Sequence, residues 1–155
     1  MTRDAHSPTR RGFLDTAARF AGGLGLLLTV APGAARATPA SMQSAMKKIV
    51  GEATLAKGKV KLELPPLVEN GNSVSMTVSV ADPPSPVEAI HVFAEGNPLP
   101  RVAVFHFGPR SGAPRVATRM RLATSQTVIA IAKLRDGTCW RDSVDLLVTL
   151  AACIE

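Results

Sequence analysis

The chain has 155 residues, 46% of them apolar, with aromatics at only 4% and no tyrosine, so its core must be aliphatic. That length suits one compact domain and leaves no room for two. The formal charge of +6 overstates the basic character. Five of the 18 basic residues but only two of the 12 acidic ones lie in the first 37 positions, which leaves a mild +3 for residues 38–155 and gives no argument for a nucleic-acid partner.

The first 37 residues read as an export signal. Arg10-Arg11 precede Gly12-Phe13-Leu14, and a modestly apolar stretch containing Phe20, Leu24, Leu26, Leu27, Leu28 and Val30 follows. Ala35-Arg36-Ala37 supplies a small-x-small cleavage pattern. The apolar run is too short for a membrane span, and the paired arginines Arg10 and Arg11 point to the twin-arginine route. The expected location is the periplasm, with no membrane attachment once the signal is removed; the alternative is an uncleaved N-terminal anchor.

Thr38-Pro39 has the form of a helix start, with threonine as cap and proline in the first turn. Met42, Ala45, Met46, Ile49, Val50 and Ala53 recur at three- and four-residue spacing and predict one amphipathic helix over about 40–54. From Lys59 the period changes to two. Val60, Leu62 and Leu64 alternate with Lys59, Lys61 and Glu63 until Pro65-Pro66. Asn70-Gly71-Asn72 signals a turn. Val74, Met76, Val78 and Val80 then alternate with serine and threonine in the clearest half-buried strand.

Further strands are expected over 89–94 and 102–107, separated by Gly96-Asn97-Pro98 and Pro100, and over about 116–122. Residues 128–134 are apolar on both faces, as a central strand would be. Asp136-Gly137 predicts a hairpin turn into a last strand over 144–150. About seven short strands with turns every 8–14 residues predict an all-β, immunoglobulin-like β-sandwich with one N-terminal helix.

Enzyme signatures are missing: there is no Gly-x-Ser-x-Gly, phosphate-binding glycine loop, Cys-x-x-Cys or His-Glu-x-x-His. No catalytic residue, metal or cofactor is expected. Cys153 stands out because it follows the last strand on a short tail, where a thiol is presented to something outside the domain. It could instead be incidental, or pair with Cys139. Against pairing, a strand over 144–150 alone spans about 20 Å, while a disulfide requires Cα atoms within about 7 Å. Cys139, beside Trp140, reads as a packed thiol. His91 and His106 lie on predicted strands without ligand spacing and read as packed or hydrogen-bonded histidines. Arg110, Arg115, Arg119 and Arg121 form a basic group that is either a solvated strand face or a receiver of an anionic cargo or an acidic partner surface. Leu147 breaks the polar face of the last strand, as a partner contact or as an interior residue at a bulge.

Several segments resemble the SoxY family of sulfur-oxidation carriers. These are Leu62-Glu63-Leu64-Pro65-Pro66-Leu67-Val68-Glu69-Asn70-Gly71-Asn72-Ser73-Val74, Ile90 to Pro100 with its Glu95-Gly96-Asn97-Pro98, and Phe105-His106-Phe107-Gly108-Pro109-Arg110. Thr118-Arg119-Met120-Arg121-Leu122-Ala123, Ser125-Gln126-Thr127-Val128 and Asp136-Gly137 ahead of Trp140 match as well. The likeness covers the region after the signal in order and spacing. With the signal and helix read above, it gives four expected segments: a twin-arginine signal over 1–37, a helix and linker over 38–58, an immunoglobulin-like domain over 59–150 and, as the resemblance implies, a carrier arm over 151–155.

It also implies a non-enzymatic carrier that binds inorganic sulfur species covalently at Cys153. The implied partners are a SoxZ-like subunit, forming a heterodimer, and SoxXA- and SoxB-like periplasmic enzymes, with thiosulfate as a candidate cargo. The arm departs from the family pattern: Ala151, Ala152, Ile154 and Glu155 surround Cys153 where the family carries glycines. Alanine stiffens an arm that glycine would leave free. The alternative is an immunoglobulin-like interaction subunit of a sulfur-metabolism complex that carries nothing.

Overall fold

The computed structural model describes residues 39–152. The expected signal, with Arg10 and Arg11, and the arm residues Cys153, Ile154 and Glu155 lie outside the described residues. Helix α1 runs over Pro39–Val50. It stops four residues short of the expected end because Gly51 adopts φ 61° and donates its N–H to the Lys47 carbonyl at 2.8 Å. Glycine takes that left-handed turn without steric penalty. Lys47 and Lys48 sit in the last turn, where the helix dipole favours cations.

Nine strands follow among the described residues: β1 (Leu55–Lys57), β2 (Val60–Glu63), β3 (Leu67–Val68), β4 (Val74–Val80), β5 (Val87–Ala94), β6 (Arg101–His106), β7 (Arg115–Met120), β8 (Gln126–Leu134) and β9 (Cys139–Val148). They form two sheets. One has the order β1-β9-β8-β5-β6, with β3 also on β9; the other is β2-β4-β7. The expected immunoglobulin-like sandwich is therefore present, with nine strands instead of seven.

The two additional strands, β1 and β3, both run parallel to β9 along its outer edge, at Leu55–Cys139 and at Leu67–Leu147. Between them β2 crosses to the opposite sheet and pairs with β4. At the crossing the Asp142 carboxylate accepts the Leu62 N–H at 2.8 Å, which supplies a partner to a backbone donor at the edge of that sheet.

The main core lies between the sheets. Val74, Met76, Val78 and Val80 of β4 meet Ile90, Val92 and Ala94 of β5 and Val128, Ala130, Ala132 and Leu134 of β8. A second layer explains why β8 is apolar on both faces. Phe93, Ile129, Ile131 and Cys139 point away from the main core and are covered by Met42, Ala45, Met46 and Ile49 of α1. The β8–β9 hairpin turns at Asp136-Gly137 as expected, with Gly137 at φ 87°.

Candidate functional site

Strand β9 carries the chain from one pole of the sandwich to the other. It begins at Cys139, beside the hairpin turn, and ends at Val148. Nine extended residue steps cover about 30 Å. The two poles are chemically different.

At the hairpin pole a depression of about 330 Å³ is bounded by Pro83, Pro86, Val87, Phe107 and Arg135. Its lining contains no cysteine, histidine or carboxylate. Cys139 is buried, and that burial pushes its thiol pKa up, away from the reactive thiolate. It is a packed thiol, as expected.

At the other pole the chain leading to Cys153 is held by backbone. Thr149 donates its N–H to Val68 O at 2.9 Å, which continues the β3–β9 contact past the end of β9. Leu150 O then accepts the Gly71 N–H at 2.7 Å. Gly71 O accepts the Leu122 N–H at 2.9 Å, and Leu122 O accepts the Ala152 N–H at 3.0 Å. Three segments distant in sequence are thus laced together by main-chain bonds. Ala151 is exposed, but Ala152 is buried, with 8% of its surface accessible. The expected arm over 151–155 is therefore fastened through its second residue.

Gly71 makes this lacing possible. A Cβ there would collide with the Leu122 carbonyl oxygen and lie 2.9 Å from Ala152 N and 3.0 Å from Leu150 O. These are backbone atoms and cannot swing aside. The turn signal Asn70-Gly71-Asn72 is real, with Asn70 Oδ1 accepting the Asn72 N–H at 3.0 Å. What sequence reasoning missed is that Gly71 serves close approach as well as turning.

Leu122 is held in turn by Asn97. The Leu122 side chain is fully buried in the core. On either side of it, Asn97 Nδ2 donates to Arg121 O at 2.9 Å and Asn97 Oδ1 accepts the Ala123 N–H at 3.0 Å. Gln126 Nε2 also donates to Asn97 Oδ1 at 3.1 Å, while Gln126 Oε1 accepts the Gly96 N–H at 2.7 Å. The β5–β6 turn, the β7–β8 loop and the root of the arm form one hydrogen-bonded unit. Asn97 is buried, and its position in a Gly-Asn-Pro turn was the one sequence signal for this role.

The remaining candidates are spread elsewhere. His91 is buried on β5, while His106 is exposed at the end of β6. Burial, and then the neighbouring Arg101, His106 and Lys133 side chains, hold the His91 imidazole below its ordinary range. Among the described residues no group of three or more His, Cys, Asp or Glu side chains is placed to hold a metal. Arg115, Arg119 and Arg121 follow the exposed face of β7 and its continuation, with Arg110 in the preceding loop. Leu147 is exposed and stands in register with Leu67 on β3, which excludes the interior placement that its sequence context left open. No helix among the described residues is long and apolar enough to cross a membrane.

With this geometry in view, the comparison with known proteins is decisive for family. Residues 46–153 match the family of the sulfur oxidation protein SoxY. The chain belongs to the SoxY family. The matched span includes every member of the Gly71–Leu122–Ala152 lacing and ends on Cys153. The structure of the sulfur carrier protein SoxY from Chlorobium limicola f. thiosulfatophilum is similar, with a TM-score of 0.61 and 26% identity over 72% of this chain and 98% of that one. The superoxide reductase (neelaredoxin) from Ignicoccus hospitalis shares the fold, with a TM-score of 0.51 and 22% identity over 72% of this chain and 94% of that one. At that identity the likeness is one of fold alone. No curated protein matches the chain.

Proposed function

We propose that this SoxY-family chain is a periplasmic carrier, exported by the twin-arginine route, that holds sulfur-oxidation intermediates covalently on Cys153 and presents them to separate enzymes. The observation that carries this reading is the family match running to residue 153 while the described chain is fastened to the domain at Ala152. The other cysteine, Cys139, is buried beneath α1. That leaves Cys153 as the thiol available for cargo.

The chemistry needs little from the domain itself. With thiosulfate as donor, a new S–S bond joins the Cys153 sulfur to the outer sulfur of the anion. The thiol loses one proton, and two electrons leave to an acceptor. Neither an acceptor nor a base is required of this chain; both belong to the enzymes it serves, of SoxXA- and SoxB-like type, with a SoxZ-like subunit as its companion. The domain contributes a fixed point of presentation, and the protein is not itself an enzyme.

Intact-mass analysis of the protein from sulfur-oxidising cells tests this. Sulfur-containing adducts are expected on the native chain and absent from Cys153→Ser, which should also stop sulfur oxidation. A bare thiol throughout, with the serine variant growing normally on sulfur compounds, would leave an interaction subunit that carries nothing.

A further inference from the structure

We infer that the arm pole is itself a docking face, and that its exposed leucines, Leu67, Leu99, Leu147 and Leu150, are covered by the enzyme acting on the Cys153 sulfur. The inference rests on the carrier reading above and goes beyond it to the partner surface.

Tether length is the first argument. Ala152 is buried and its N–H is bound to Leu122 O, so the chain is fixed to the domain until the residue immediately before Cys153. One Cα–Cα step and a two-bond side chain place the sulfur within roughly 7 Å of the Ala152 Cα. A reacting group must come one contact distance closer still. An enzyme can meet that requirement only by laying the rim of its active site on this pole.

The second argument is where the exposed apolar surface lies. The large hydrophobic side chains exposed among the described residues are Leu67 (55%), Leu99 (77%), Leu147 (63%) and Leu150 (59%). All four are on this pole. Leu67 and Leu147 are register partners. Leu150 belongs to the lacing around Gly71. Leu99 caps the β5–β6 turn whose Asn97 holds the loop around Leu122. Single exposed leucines are ordinary, but here the large exposed hydrophobics of the described residues all stand at the pole from which Cys153 leaves, at both ends of the strand order β3-β9-β8-β5-β6, which marks that pole as a contact surface. The exposed charges beside them are of both signs, Glu69 and Asp145 against Arg101 and Arg121, so no net charge attracts a partner and apolar contact supplies the attraction. The partner is thus an enzyme that makes or breaks a bond to a thiol-linked sulfur, with a shallow centre and an apolar rim.

The test uses the full chain as the sole copy in sulfur-oxidising cells. Leu99→Glu combined with Leu147→Ser changes two exposed side chains and should leave the urea midpoint unchanged. With the natural arm it should lower sulfur-dependent oxygen uptake about tenfold, as loss of central interface contacts does. A Gly-Ser-Gly-Ser insertion between Ala152 and Cys153 lengthens the tether by about 14 Å and should recover most of that loss, because the sulfur then reaches a centre without the pole. Uptake at the parent rate, or a loss that persists with the lengthened arm, overturns the inference. A persistent loss accompanied by release of a companion subunit or of a self-dimer would assign the leucines to that interface. If the parent itself bears no sulfur on Cys153 and Cys153→Ser oxidises sulfur normally, the carrier reading fails and this one with it. An adduct on the parent with indifferent leucine variants sinks the docking face alone.

Discussion

Replacing Gly71 by alanine should detach the root of the arm and destabilise the domain, although the backbone at this position does not demand glycine. Its φ lies outside the left-handed region, so an alanine there is conformationally allowed. By restricting the unfolded chain, such a change normally stabilises by about 0.4–1 kcal/mol. Here the new methyl would collide with the Leu122 carbonyl and crowd Ala152 N and Leu150 O, at 2.9 and 3.0 Å. The three bonds at risk are Gly71 to Leu150, Leu122 to Gly71 and Ala152 to Leu122. At about 1 kcal/mol each they are together worth roughly 3 kcal/mol. Set against the unfolded-state gain, the net loss is about 2 kcal/mol, or about 8 °C in Tm for a domain of this size. Urea unfolding measures the loss, and amide exchange at Ala152 and Leu122 shows whether it comes from the lacing. Unchanged or raised stability with both amides still protected would refute the reasoning.

Asn97→Ala should cost about 2–3 kcal/mol, since it removes both ends of the bracket around Leu122 and leaves the Ala123 N–H without its partner; faster exchange at Ala152 should accompany the lower urea midpoint. For His91, burial and then the neighbouring cations hold the folded pKa below the ordinary 6.5, with Glu88 opposing. The unfolded chain therefore binds a proton first as pH falls. Stability should be level above pH 6.5 and decline below it, and His91→Gln should flatten that part of the slope in urea midpoints taken from pH 5 to 8. A stability that rises on acidification through this window would contradict the assignment. Cys139 should resist iodoacetamide in the native protein and react only on unfolding, because burial both shields its thiol and raises its pKa; rapid native labelling at Cys139 would show that α1 does not cover it.

Where side-chain periodicity carries the signal, the fold was legible. The alternation from Val74 to Val80 became β4, and the two-faced apolar run at 128–134 became the centre of the larger sheet, sealed by α1 on one side and by the core on the other. Strands β1 and β3 were invisible because two or three residues have no period, and their place is set by the edge of β9. The helix was read too long because Ala53 keeps the apolar spacing, while Gly51 ends the hydrogen bonding two residues earlier. The root of the arm was the least legible part. Its bonds join main-chain atoms of residues 71, 122, 150 and 152, and backbone pairing leaves no mark on residue type except where Gly71 excludes every other side chain.

A single peptide isolates the central claim. Trypsin cleaves after Arg141, and the fragment 142–155 contains Cys153 but not Cys139. Mass spectrometry of that fragment, without reductant, from cells oxidising sulfur and from starved cells should show bound sulfur in the first sample and a free thiol in the second. The same unmodified fragment in both samples would contradict the account.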